Sequence, residues 1–587
     1  VRARTLIVWL LLGTAGALLL VWGHRRVFRY LPDPWTLSKA DAETIALERF
    51  RELGKPVENA YVVTKLDEEE LIEARLVEAR LDRSRVASSP LLDQTLYWQI
   101  RVYPPGARPQ DYAYRAEISA DGDLMALRRR LPPDAAAPGR IDAATARQHA
   151  DAFLVAQGYG LGQFAPSEVR TQELQARVDT TVRYPYREQA LGHGIGYGMQ
   201  VLFAGDELLG FEFYFDDPNR AQIEAGLQPI IMLENLRFVV LFTLVLIVAI
   251  PFLRRYHEGE VGVRRGLQIM AVTFASGLVL IALSARPATE GFNFGVFSRS
   301  QVTWVWAIQF VLIFFLPLAV VAGLSWSVGE SFARERWGAK LAAFDALVSG
   351  RFGNATVARS ALRGTAAGLL LAGAAFATAV LLDPAGLRAI FAFNFGPWWT
   401  GATWPGLAML CFSLSFSLYA ELFGRLFVIA WLSRRVHPWL AGACAALVTG
   451  LLLWGSAPLS ADGVFWTLAL AIASAATLVV LFLRYDLLTA IVASLVAGVA
   501  TSALPLLQSE NNWLQFQGGL ALVGACLPLI LSLRHLFEGE EFVYHYDDIP
   551  PHVRRIAERE RQRVELETAR GIQSSILPDL PPRLQGI

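Results

Sequence analysis

Apolar runs of about 20 residues, enough to cross a ~30 Å hydrocarbon core, recur along the chain. The first covers Thr5 to Trp22, and others lie near 235–253, 266–284, 302–327, 362–382, 404–432, 439–457, 464–483, 487–507 and 514–533. Between the first two stands a more polar stretch, residues 30–229. Within it Ser38-Lys-Ala-Asp41 has capping-box spacing, with Asp where Glu or Gln is usual. It predicts a helix with Ala42, Ile45, Ala46, Phe50 and Leu53 on one face, ended by Gly54. Asp142 opens a second such helix, with Ala146, Ala150, Phe153 and Leu154 on one face and Gly158 at its end; the cap-to-glycine spacing is the same. Alternating strands follow each: 97–103 and 112–118 after the first, 198–203 and 210–215 after the second. The pattern predicts a duplicated α+β unit.

Composition agrees with repeated spans. Of 587 residues, 54% are hydrophobic and only 18% charged, which excludes a simple soluble enzyme. Net charge is zero and no basic stripe carries interleaved aromatics, so a nucleic-acid partner is not expected. Cys411, Cys444 and Cys526 fall within apolar runs, leaving 30–229 without a disulfide framework.

Charge sets the expected topology. Arg254, Arg255, Arg264 and Arg265 share one loop, and Arg334, Arg336, Lys340, Arg351 and Arg359 the next on that side, followed by Arg434, Arg435, Arg484 and Arg534. The opposite loops hold little beyond Arg286, Arg299 and Arg388. By the positive-inside rule the first set is cytoplasmic, the tail is cytoplasmic, and 30–229 lies outside. The expected fold is a polytopic α-helical membrane protein of about ten spans, with an extracytoplasmic duplicated α+β domain and a cytoplasmic C-terminal signalling helix. Its expected parts are an anchor at 1–29, the outer domain at 30–229, spans at 230–399 with a cytoplasmic amphipathic segment at 328–361, a second group of spans at 400–534, and a linker and helix at 535–577. Phe332, Trp337, Leu341, Phe344 and Leu347 would lay the amphipathic segment on the membrane surface. No histidine falls within an expected span, and the two Phe-Asn-Phe-Gly stretches, 292–295 and 393–396, suggest a docking surface for the outer domain.

Two stretches carry candidate function. In the tail, Leu566, Ala569, Ile572 and Ile576 recur at spacings of three and four, a thin apolar stripe on a charged helix. Within an apolar run, Glu421 stands four residues before Arg425, on the same helix face. A charge at mid-membrane costs roughly 2.5–3.5 kcal/mol, so the pair is either a structural ion pair or an active-site acid with its partner.

The tail sequence Ala569-Arg-Gly-Ile-Gln-Ser-Ser-Ile-Leu-Pro578, followed by Pro581-Pro-Arg-Leu584, resembles the entry to the catalytic domain of bacterial SpoIIE-type, PP2C-like serine/threonine phosphatases. The resemblance implies that 578–587 begin such a domain, whose metal-binding aspartates would lie beyond Ile587. It implies Mn or Mg for that domain and a phosphorylated anti-anti-sigma-type regulatory protein as substrate. A homodimer through the tail helix and a bacterial inner-membrane location are expected as well. No cofactor is expected within the chain itself. Glu421-x-x-x-Arg425, Ser433-Arg-Arg-Val-His-Pro438 and Ala446-Leu-Val-Thr-Gly450 resemble the core of CPBP (CAAX-protease and bacteriocin-processing) intramembrane proteases. The chain departs from that family where catalysis would sit: Ala420 replaces the first glutamate, Thr449 and Leu453 the phenylalanine and histidine, and Ser494 or a neighbouring leucine the last histidine. The resemblance thus implies a degenerate core without catalysis; the alternatives are an active intramembrane protease and a non-catalytic scaffold that binds a peptide or lipid. The outer domain resembles PepSY-like modules by pattern.

Overall fold

Ser38 and Asp142 each cap a 14-residue helix, α2 (Lys39–Glu52) and α5 (Ala143–Ala156), and Ser38 forms the reciprocal box with Asp41. Gly54 and Gly158, at positive φ, follow the two helix ends, a conformation cheap only for glycine. Four strands go with each helix: β1 (Tyr61–Asp67), β2 (Tyr97–Tyr103), β3 (Tyr114–Ser119) and β4 (Leu124–Arg129), then β5 (Glu168–Glu173), β6 (Val178–Pro185), β7 (Gly196–Ala204) and β8 (Glu207–Asp216). They form one antiparallel sheet in the order β1-β2-β3-β4-β8-β7-β6-β5. The halves meet where β4 pairs with β8 through Leu127 and Arg128 opposite Phe211 and Gly210. Two short helices, α3 (Glu70–Ala79) and α4 (Arg83–Ala87), enter only between β1 and β2. The computed structural model describes residues 2–576 other than 56, 88, 133, 190, 192–193, 291, 293–294, 390–399, 453–457, 462 and 544–550.

Strand β2 is buried almost throughout. Trp98, Ile100 and Val102 join the core beneath α2. Arg101 and Tyr103 point the other way, toward the helices that follow. Both faces of this strand are therefore covered, which is why its sequence shows an aromatic and β-branched run.

Among the described residues eight helices are long and apolar enough to cross a membrane: Arg4–Val27, Val239–His257, Val263–Ala288, Arg299–Val348, Ala355–Ala385, Pro405–Leu432, Val464–Arg484 and Leu487–Gln508. The chain is a polytopic helical membrane protein bearing one antiparallel sheet. The other two expected spans are shorter helices. Pro438–Leu452 has 15 residues, and the last expected span divides into Asn512–Ala525 and Leu527–Ser532 at Cys526, just before Pro528. Pro528 supplies no amide proton at that point.

Small residues set a close crossing. The first helix, α1 (Arg2–Val27), lies along the Ala355–Leu382 helix, where a Cβ on Gly16 would stand 2.4 Å from the Leu370 amide nitrogen. Glycine there lets the backbones touch, the usual means of helix association in lipid. His24 is a correction to the expectation of histidine-free spans. It lies within the first candidate span, 1% exposed, with its ring edge-on to Phe28 at 5.3 Å.

The segment 328–361 also differs from its expected surface position. Residues 328–337 continue the preceding helix, followed by a 3-10 turn at Gly338–Leu341 and a short helix at Ala342–Val348. Phe332, Leu341 and Phe344 are buried, and Phe344 packs on Trp326 with ring centroids 4.8 Å apart. The charges that marked a surface face are neutralised internally: Arg334 bonds Glu330 at 2.9 Å, and Arg265 and Arg334 both pair with Asp345. Compensated charges need no water, so the segment packs into the bundle.

Candidate functional site

One helical run connects the sheet to the tail. It begins at Arg299, passes through a π-helical turn at Val311–Phe315 and continues over Leu316–Trp337. Ser298 caps it in a reciprocal box with Gln301. The π turn falls just before Pro317, whose ring would crowd the carbonyl of a regular preceding turn.

At the sheet end, Arg299 is 1% exposed. Its guanidinium donates to the Thr289 carbonyl at 2.8 Å and Thr289 Oγ1 at 2.9 Å, and lies 3.5 Å from Glu290. Glu290 also pairs with Arg101 of β2. The Arg299 amide donates to the Ala107 carbonyl in the β2–β3 connection at 2.7 Å, and Tyr61 of β1 meets Thr303 at 3.1 Å between hydroxyl oxygens. Other contacts fix the same junction: Asn511 Nδ2 donates to the Thr36 carbonyl at 2.7 Å, and Arg29 lies 3.4 Å from Asp383. Sequence reasoning counted Arg299 only as a loop charge. Its place directly after a Ser cap and before an apolar run was the available signal, since an arginine there either faces solvent or must be paired.

Between sheet and helices lies a cleft of about 600 Å³, lined by Lys39, Glu43, Tyr61, Ile281, Arg286 and Trp304 among others. Lys39 is half-buried; burial, opposed by Glu43 and assisted by Arg286, pushes its ammonium down to about 8.

In the membrane core Arg425 Nε stands 3.1 Å from Glu421 Oε2, with both side chains essentially inaccessible. A π-helical stretch at Leu422–Val428 carries the arginine, and its guanidinium also donates to the carbonyls of Ala420 and Ala475 at 3.3 Å. Ser494, from the Leu487–Gln508 helix, accepts from Ser417 at 3.2 Å beside this pair. Thr449 packs its methyl against Gly424 and spends its hydroxyl on the Ala445 carbonyl of its own helix at 2.7 Å. The structure thus gathers Glu421, Arg425, Thr449 and Ser494; Leu453 lies outside the described residues. Among the described residues no group of three or more His, Cys, Asp or Glu is arranged to hold a metal. The arrangement supports ion pairing and close packing; a water-activating site would need a further base or metal.

At the tail end, Pro551–Ile576 is one helix. Its Arg559 pairs with Glu260 and lies 3.3 Å from Glu335, and Glu335 also holds Arg255 at 2.9 Å and Arg434 at 3.5 Å. Leu566 and Ile572 are 71% and 55% exposed, and Ala569 is exposed. Ile576 lies in the helix with its side chain outside the described residues, as do 577–587. Of the two Phe-Asn-Phe-Gly stretches, 393–396 lies outside the described residues and so do Asn293 and Phe294.

The fold and its two charged junctions define a multi-pass membrane protein in which one helix reaches both a sheet domain and a tail helix. The chain matches no known protein family, curated protein or solved structure.

Proposed function

We propose that this chain is a transmembrane signalling protein. An extracytoplasmic sheet domain perceives a cue, a region of ten passes relays it, and the cytoplasmic tail helix sets the activity of an output domain. The observation that carries this reading is the run Arg299–Trp337, tied to β2 through Glu290 at one end and to the tail helix through Glu335 at the other. Two π turns, at 311–315 and 422–428, lie on this run and on the helix packed against it, where a Cβ on Gly329 would meet Leu426 at 2.7 Å. Such turns are points where a helix changes register at small cost, and two states need differ by only a few kcal/mol. The resemblance of the motif at 569–584 supports an output by a SpoIIE-like serine/threonine phosphatase domain with Mn or Mg, acting on a regulatory phosphoprotein in the bacterial cytoplasm. The exposed stripe of Leu566, Ala569 and Ile572 suits a homodimer of tail helices. Glu421 and Arg425 are structural in this reading.

Hydrogen exchange on the full chain in nanodiscs tests the relay. Arg101→Gln loosens the Glu290 junction and raises exchange across 551–576, whereas Arg170→Gln, at an exposed pair with Glu168, does not. Faster exchange at 286–299 with no change at 551–576 would sink the relay. The intact mass of the protein from its own membranes tests the output: an excess of about 200 residues supports an attached domain. Phosphate release from a phosphoserine protein is then the assay.

A further inference from the structure

The cleft at the sheet end has a chemistry that the relay does not use. Its polar lining includes Ser38, Lys39 and Glu43 of the α2 end, Tyr61 of β1, and Arg286 and Thr303 of the membrane helices, with Thr400 and Thr403. Apolar lining comes from Ile281, Leu283, Trp304 and Ala307. Two cations therefore face one carboxylate, and Glu43 already accepts a hydrogen bond from Thr64 at 3.2 Å. Among the described residues neither Lys39 nor Arg286 forms an ion pair; Arg286 lies over the Tyr61 ring at 5.1 Å. Glu43 alone cannot balance two cations, one of them half-buried, and an anion placed between the two would offset the remaining charge.

Position identifies the anion's source. The cleft sits at the sheet end of three apolar helices, Val263–Ala288, Arg299–Val348 and Pro405–Leu432, each of which supplies part of its wall. Trp304 is 71% exposed and Trp513 39%, as aromatics are at the headgroup level of a bilayer. The volume of about 600 Å³ lies in the range of small-molecule sites. It accommodates a headgroup and the upper part of its chains, with the remainder passing Trp304 into the bilayer.

We propose that this cleft binds the headgroup of an anionic phospholipid, its phosphate between Lys39 and Arg286 and its upper chains against Ile281, Ala307 and Trp304. A free phosphate would use the cations and leave the apolar wall empty. That the lipid also serves as the cue rests on the relay reading above; its binding does not.

Native mass spectrometry of the full chain in detergent, titrated with dioleoyl phosphatidylglycerol or dioleoyl phosphatidylcholine, tests the site. The wild type retains phosphatidylglycerol about tenfold more strongly. Lys39→Gln with Arg286→Gln brings retention to the phosphatidylcholine level, while Arg264→Gln leaves it unchanged. Lys39→Arg with Arg286→Lys retains the preference, which separates loss of charge from loss of fold. Equal retention of the two lipids, or a preference undiminished in the double glutamine variant, would overturn the proposal. So would displacement by millimolar inorganic phosphate, which would assign the cleft to a small free anion. Lipid binding that leaves exchange at 551–576 untouched upholds the site and overturns the lipid's role as the cue; the relay itself stands or falls on Arg101→Gln.

Discussion

Glu421 and Arg425 show how a buried pair is judged by what happens when half of it is removed. Each is 1% exposed or less, and the arginine has two carbonyls besides its carboxylate partner. Arg425→Leu leaves Glu421 without its partner in an apolar core and should destabilise the bundle by about 3–5 kcal/mol, while the double change to Glu421→Leu with Arg425→Leu recovers most of it. Unfolding in increasing SDS measures both. A double variant no more stable than the single one would mean that the charges hold something besides each other, and would return attention to a catalytic role. The sequence made this pair legible because a charge amid an apolar run is conspicuous. Arg299 was less so, because its partner Glu290 stands outside the run and only the tertiary fold places Arg101 opposite both.

Elements were legible where one face was apolar and the other polar. The caps at Ser38 and Asp142, the helix faces of α2 and α5 and the strand at 97–103 could be read from period and cap chemistry alone. Strand β5, Glu168–Glu173, could not: it is an edge strand, exposed at nearly every position, with no apolar face to report. The segment after Ser327 was misplaced for the opposite reason. Its charges pair with one another in the fold, so a helix that looks amphipathic in isolation is buried over most of its length, with Arg336 and Ala339 exposed. Glycines within spans gave no period at all, yet they set the α1 crossing. Gly16→Leu must push against the Leu370 backbone, which cannot rotate away, and should cost about 1–3 kcal/mol or more by parting the two helices. Gly519→Ala, which meets nothing within 4 Å, should change little. The thermal midpoints of the two variants in detergent distinguish them, and equal midpoints would mean that the α1 crossing is not a tight one.

At the scale of the whole molecule, alternation of charge along the chain predicted which helix ends lie together, and the contacts group the same ends. Arg29, Asp383 and Asn511 meet the sheet domain's side, while Glu260, Glu335 and Arg434 gather around the tail helix. The two groups are joined by packed helices, so coupling between them is a matter of energy and can be measured as such. Arg559 is 43% exposed on its side chain, so its hold on Glu260 and Glu335 is partly screened and should weaken as salt rises. Arg559→Glu places like charges together and should release residues 551–565, raising their hydrogen exchange at low salt toward the wild-type value at high salt. The decisive comparison combines it with Arg101→Gln at the far end. If the two junctions share a two-state helix, the sheet-end variant loses its effect on the tail once the tail is already released, and the two changes do not add. Strict additivity across that distance would mean that each end loosens by itself, with the Arg299–Trp337 run acting as a strut between two independent contacts.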